Sequence, residues 1–182
     1  MTPFEQARKI FSNFPEEVFS LWLDERIRQY GWPPGGDAWD RTLVGYPLLY
    51  WRKLIWVEKE VPLAFDLLGP LSRRTVNGLM AANVLGKPDA SAEAAGDTPL
   101  NTPGNSKERF YSIFKHVVEK WGVPGKLVLL DEGGYCEILA GCHRMAVVCA
   151  MRQFPEFRKY VPGQFRCWVA SLDPQFKKLF GK

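Results

Sequence analysis

Histidine is scarce in this chain. Of 182 residues only His116 and His143 are histidines, so a His-rich metal centre is excluded. Cysteine is almost as sparse. Cys136, Cys142, Cys149 and Cys167 match no CxxC zinc or redox spacing, and with no export signal their default state is the reduced thiol. Cys136, Cys149 and Cys167 read as small core residues. No apolar run approaches the roughly 18 residues that a membrane span needs, and MTPFEQARKIF lacks the apolar stretch of a secretory signal. The expected compartment is therefore the cytoplasm, with no transmembrane segment.

Apolar residues are plentiful, at 46% of the chain with 14% aromatic, enough for a packed core. The net charge of +4 is modest but unevenly spread. Residues 1–105 carry 11 Lys/Arg against 13 Asp/Glu, whereas residues 106–182 carry 13 against 7. A basic C-terminal half attracts phosphates, although a soluble basic face has the same composition.

Periodicity predicts a helix over 3–31, with Asn13 as an N-cap candidate beside Pro15 and an apolar face of Val18, Phe19, Trp22, Ile27 and Tyr30. WPPGGDAWD is a loop that Trp32 and Trp39 would anchor. LLYWRKLIWV (48–57) reads as a strand, and PLAFDLLGP as a short extended piece. Ser72 would cap a helix over 73–85. Residues 87–105 are small, polar and proline-bearing, a linker or a lid. Ser106 would open a helix over 107–121 that Gly122 ends. KLVLL (126–130) and YCEIL (135–139) read as a hairpin around Asp131-Glu132-Gly133-Gly134. An apolar helix follows from Gly141, and FRCWVASL (165–172) is the last strand. This divides the chain into an N-terminal extension (1–86) packed on the core, a flexible loop (87–105) and a core (106–182). The fold class is α+β, a small mixed sheet with packed helices.

The chemistry concentrates where the second hairpin strand meets a helix, at Gly141-Cys142-His143-Arg144. The first amides of a helix lack internal partners and carry the positive end of its dipole. Gly141 permits a tight turn and close approach of an anion. Arg144 adds a planar fork of donors, and His143 can donate a hydrogen bond or carry a proton. Together these describe a phosphate site at a helix N-terminus. Against it stands an ordinary turn with two solvated basic residues. Cys142 at that position should have a lowered thiol pKa and could be a nucleophile, or it may simply be small enough for the turn.

Glu137-Ile138-Leu139-Ala140-Gly141-Cys142-His143-Arg144-Met145-Ala146 resembles the signature of the ParB/sulfiredoxin superfamily, and the ordered elements around it extend the likeness over roughly residues 106–175. ParB-type members carry Gly-Glu-Arg-Arg after a strand, and sulfiredoxins carry Gly-Gly-Cys-His-Arg. The resemblance implies binding of ATP as substrate through Gly141, Cys142, His143 and Arg144, with Arg144, His143 and Glu137 catalytic. It also implies hydrolysis assisted by Mg2+ or another divalent cation, and for some members cleavage of DNA. Asp131, Glu132 and Glu137 are the carboxylates available for such a cation. Lys107, Arg109, Arg73 and Arg74 could extend a DNA-binding surface.

Chain length and N-terminal region resemble, more narrowly, the plasmid fertility-inhibition members of the superfamily. That implies an ATPase and DNase in the bacterial cytoplasm, held at the inner membrane through a partner. It would block conjugative DNA transfer through a type IV secretion system by acting on a coupling component or its substrate. Two alternatives remain open, a sulfiredoxin-like redox enzyme using Cys142 and a non-catalytic nucleotide- or DNA-binding inhibitor. The glutamate of the ParB-type turn is Cys142 here, and no helix-turn-helix follows.

Overall fold

The computed structural model describes residues 1–62, 64–87 and 103–180. Its elements are α1 (Pro3–Ile10), α2 (Glu16–Val18, one wide π turn Phe19–Leu23, then Asp24–Tyr30), α3 (Asp37–Thr42), α4 (Leu48–Trp51), β1 (Leu54–Val61), α5 (Pro70–Val84), α6 (Pro103–Lys120), β2 (Leu127–Asp131), β3 (Cys136–Ala140), α7 (Cys142–Gln153), α8 (Pro155–Arg158) and β4 (Phe165–Leu172). Short 3-10 turns lie at Phe65–Leu67 and Pro174–Phe180. The architecture is α+β.

The four strands form one mixed sheet in the order β1-β4-β2-β3. β1 pairs antiparallel with β4, β4 parallel with β2, and β2 antiparallel with β3. β2 lies inside the sheet, and Leu127 to Leu130 are all at most 1% exposed. A strand covered on both faces needs such a continuous apolar run. Alternate residues enter two separate cores. Leu127, Leu129, Cys167 and Val169 face α5, α6 and α7. Val128, Leu130, Ala170 and Leu172 face the aromatic N-terminal helices, with Trp22, Trp39, Tyr50 and Trp51. Helix α7 is buried from Met145 to Met151, as a helix clasped by two others and a sheet must be. Each buried Val or Met among them contributes about 1.5–3 kcal/mol.

Several local expectations change. The helix expected over 3–31 is two helices, and Asn13 caps neither. Its Nδ2 donates to the Trp51 and Leu54 carbonyls, 3.0 Å each, while the N-terminal cap is the Thr2/Glu5 box of α1. The strand expected over 48–57 begins only at Leu54. It runs on to Val61 through Glu58-Lys59-Glu60, charges that an edge strand tolerates, because β4 pairs it along its full length. Helix α5 starts at Pro70, two residues before Ser72. Helix α6 starts at Pro103, so Ser106 lies inside it. The proposed lid or linker falls, from 88 to 102, outside the described residues. Trp32 and Trp39 do anchor their loop, edge to face at 5.7 Å.

Candidate anion site at the start of helix α7

Gly141 is the N-cap of α7 with φ 111° and ψ 16°, a conformation that favours glycine. Space demands glycine as well. A Cβ here would lie 2.3 Å from Leu127 Cδ2 and 3.4 Å from Arg144 Nη1. The turn therefore brings the backbone down onto β2 and lets Arg144 fold back over it. Arg144 Nη1 donates to the Lys126 carbonyl, and its guanidinium carbon lies 3.9 Å from the position a Gly125 Cβ would take. Burial, and then the neighbouring charge of Arg109, pull the Arg144 pKa below its ordinary value.

A cavity of about 170 Å³ opens at this turn. Three arginines line it from three elements, Arg26 from α2, Arg109 from α6 and Arg144 from α7, together with Thr75 and Glu25. The π turn at Phe19–Leu23 holds one more residue than an α turn. It therefore rotates the face of α2 just before Glu25 and Arg26. Convergent cations in a half-enclosed pocket repel one another, and an anion relieves that repulsion.

His143 is not presented to this cavity as a free imidazole. It is 8% exposed, and its Nε2 lies 3.1 Å from Ser106 Oγ. Ser106 Oγ in turn accepts from Asn83 Nδ2 at 3.3 Å, and Asn83 Nδ2 also donates to the Leu79 carbonyl at 2.8 Å. The Ser106 hydroxyl can donate to an unprotonated His143 Nε2 or accept from a protonated one, so either neutral tautomer completes the contact. Burial first, then Arg109 and Arg144, lower the His143 pKa to about 4. The ring is neutral at pH 7 and ties α7 to α5 and α6.

The expected lowering of the Cys142 thiol is reversed. The residue is half-buried, and its Sγ lies 3.9 Å from the Ile138 carbonyl. Burial pushes the thiol up to about 12, outweighing Arg26 and Arg144. It is protonated at neutral pH and a poor nucleophile.

The carboxylates do not converge. Glu137 is 4% exposed and caps α5. Its Oε2 accepts from the Ser72 amide at 2.8 Å and the Ser72 hydroxyl at 2.5 Å, and its Oε1 from the Leu71 amide at 3.3 Å. Asp131 Oδ1 accepts from the Gly133 amide at 2.8 Å, and Glu132 Oε2 from the Tyr46 hydroxyl at 3.3 Å. Asp131 and Glu132 stand at the far end of β3 from Gly141, roughly 15 Å away at strand rise. Among the described residues no group of three His, Cys, Asp or Glu side chains could hold a metal ion. The described carboxylates thus do not assemble a site for a protein-held divalent cation.

Of the four basic residues considered for DNA, only Arg109 lines the cavity. Arg73 is tied to the Leu68 and Asp66 carbonyls, 2.6 Å each, and Arg74 and Lys107 are exposed on α5 and α6. Arg26, Thr75 and Asn83 escaped the sequence reading, and Ser106 was read only as a helix start rather than as the partner of His143. Nothing local marks them, since each reaches the site only through packing of another helix. No helix among the described residues is long and apolar enough to cross a membrane. No protein-family model, curated protein or solved structure matches the chain.

Proposed function

We propose that the chain binds the phosphates of a nucleoside triphosphate at Gly141–Arg144. The observation that carries this reading is the convergence of Arg26, Arg109 and Arg144 on the first turn of α7. Guanidinium groups and unpaired helix amides together suit a phosphate chain better than a single carboxylate. In this reading Arg144 is held over the turn by the Lys126 carbonyl, Arg109 and Arg26 close the phosphates from two sides, and His143 fixes the helix that carries the amides.

Hydrolysis of ATP, cleavage of DNA and a ParB/sulfiredoxin-type fold belong to the same proposal and rest on the likeness of Ala140–Arg144 to that superfamily. So does a role in plasmid fertility inhibition of the Osa type, blocking DNA passage through a type IV secretion system. A second reading has its own support. His143 is engaged by Ser106 and Glu137 by α5, so neither is positioned as a general base, which favours a nucleotide-binding inhibitor that acts by contact. The redox reading loses support with the raised Cys142 thiol.

The test measures hydrolysis of Mg–ATP and nicking of supercoiled plasmid by the wild type, Arg109→Ala and Cys142→Ser. The enzymatic reading expects hydrolysis that Arg109→Ala reduces at least tenfold and Cys142→Ser leaves intact. Nucleotide binding without turnover selects the inhibitor reading. Turnover that Arg109→Ala leaves intact places the chemistry elsewhere.

A further inference from the structure

Helix α6 ends at Lys120, and Trp121 follows with φ 55°. A bulky residue rarely takes this left-handed conformation, and such strain gathers at functional positions. The neighbouring Gly122 could have taken it without cost. Instead Trp121, its amide donating to the Val117 carbonyl at 3.0 Å, projects its ring outward and is 61% exposed. The ring rests on Tyr160 from the loop after α8, with centroids 4.8 Å apart. Lys159 Nζ stands 4.9 Å from the Tyr160 centroid. Lys120 and Arg158 are exposed in the adjoining turns. Beside the pair opens a cavity of about 180 Å³ lined by Gly122, Val123, Gly125, Pro162, Gln164 and Arg166, roughly six waters' worth of liquid volume. It shares no lining residue with the arginine pocket.

We infer that Trp121 and Tyr160, with Lys120 and Lys159, form a binding surface for single-stranded nucleic acid. The positive charge around the rings selects this occupant. An exposed indole offers a face on which any base can stack. Exposed lysines flank the pair, with Lys120 next to Trp121 in the chain and Lys159 Nζ over the Tyr160 ring, and the C-terminal half of the chain is basic. An apolar peptide would gain from the rings but nothing from the lysines. The surface is independent of the triphosphate pocket. Helix α6, which carries Arg109 and ends beside Trp121, and the loop whose Lys126 carbonyl receives Arg144 connect the two.

Fluorescence anisotropy tests this with a labelled oligothymidine and an oligouridine of about 12 nucleotides, in about 50 mM salt. The wild type should bind, more weakly as salt rises. Trp121→Gly removes the ring while relieving the backbone, and should weaken binding about 5- to 100-fold. Trp121→Phe, which keeps a stacking face, should stay close to wild type. Lys159→Ala should weaken binding and reduce the salt slope by about one. Binding of the thymidine strand alone assigns DNA, binding of the uridine strand alone assigns RNA, and equal binding assigns a surface blind to the sugar; all three support the inference. It is overturned if the wild type binds neither strand, or if folded Trp121→Gly binds as the wild type does. Loss of binding in Arg109→Ala but not Trp121→Gly also overturns it, because the strand then lies in the arginine pocket.

Discussion

Replacing His143 by Gln tests whether the imidazole is buried and neutral in the folded chain. Gln can still accept from the Ser106 hydroxyl, so the contact survives and only the titration is removed. In the folded chain the His143 pKa is lowered from 6.5 to about 4, chiefly by burial. Above pH 6.5 neither the folded nor the unfolded state holds the proton, and the two chains should respond alike. Between 6.5 and about 4 the unfolded chain takes up a proton that the folded chain refuses, so stability falls as pH falls. The slope approaches 1.36 kcal/mol per pH unit, and the full loss is about 3 kcal/mol. That is a large part of the 5–15 kcal/mol typical of a domain.

Carboxylates also titrate in this range. Glu17 and Glu58 have lowered pKa values through hydrogen bonds, first to Lys126, so their contribution too is lost as pH falls through their folded-state pKa values. They are present in both chains, so the difference between wild type and His143→Gln isolates His143. Urea midpoints at pH 7, 6, 5 and 4.5 supply that difference. The wild type should lose stability relative to the variant below pH 6.5, by about 2 kcal/mol at pH 5. Parallel curves from pH 7 to 4.5 would show that His143 is solvated and that its place in the Asn83–Ser106–His143 chain is wrong.

Two further substitutions probe the same neighbourhood. Gly141→Ala places a Cβ 2.3 Å from Leu127 Cδ2 at φ 111°. Strain and overpacking together should cost about 2–4 kcal/mol, read as a lower urea midpoint at unchanged slope. Ser72→Ala removes the hydroxyl that donates to Glu137 and accepts from the Ile138 amide at 2.6 Å. It leaves a buried N–H unpaired and should cost about 1–3 kcal/mol, read in the same way; a loss under 0.5 kcal/mol would mean that water replaces the hydroxyl.

The elements with strong local signals could be read from the chain alone. LVLL is buried on both faces and looks it. Gly141 after a strand and before an apolar helix forecast the turn that the structure shows, and the basic bias of the C-terminal half pointed toward Arg144. What stayed hidden depends on distant packing. Arg26 reads as the polar face of an amphipathic helix, and only the π turn and the docking of α2 bring it to α7. Glu137 reads as a polar residue near a motif. Its role is to cap a helix 65 residues earlier in the chain, which no local spacing encodes. β1 was mistaken at both ends, because pairing with β4 outweighs the low strand propensity of Glu58, Lys59 and Glu60. The Cys142 thiol goes the other way because desolvation outweighs the helix dipole there.

In the proposed reading, three arginines and a helix N-terminus form one phosphate site. Calorimetric titration with a nonhydrolysable ATP analogue and with pyrophosphate tests it most directly, using wild type, Arg26→Ala and Arg109→Ala. Neither arginine is buried in the core, so both variants should fold. The wild type should bind both ligands, more weakly at higher salt. Each arginine removed should weaken binding about 10- to 100-fold, as charge-assisted hydrogen bonds imply. No binding by the wild type, or equal affinity in all three proteins, would contradict that reading.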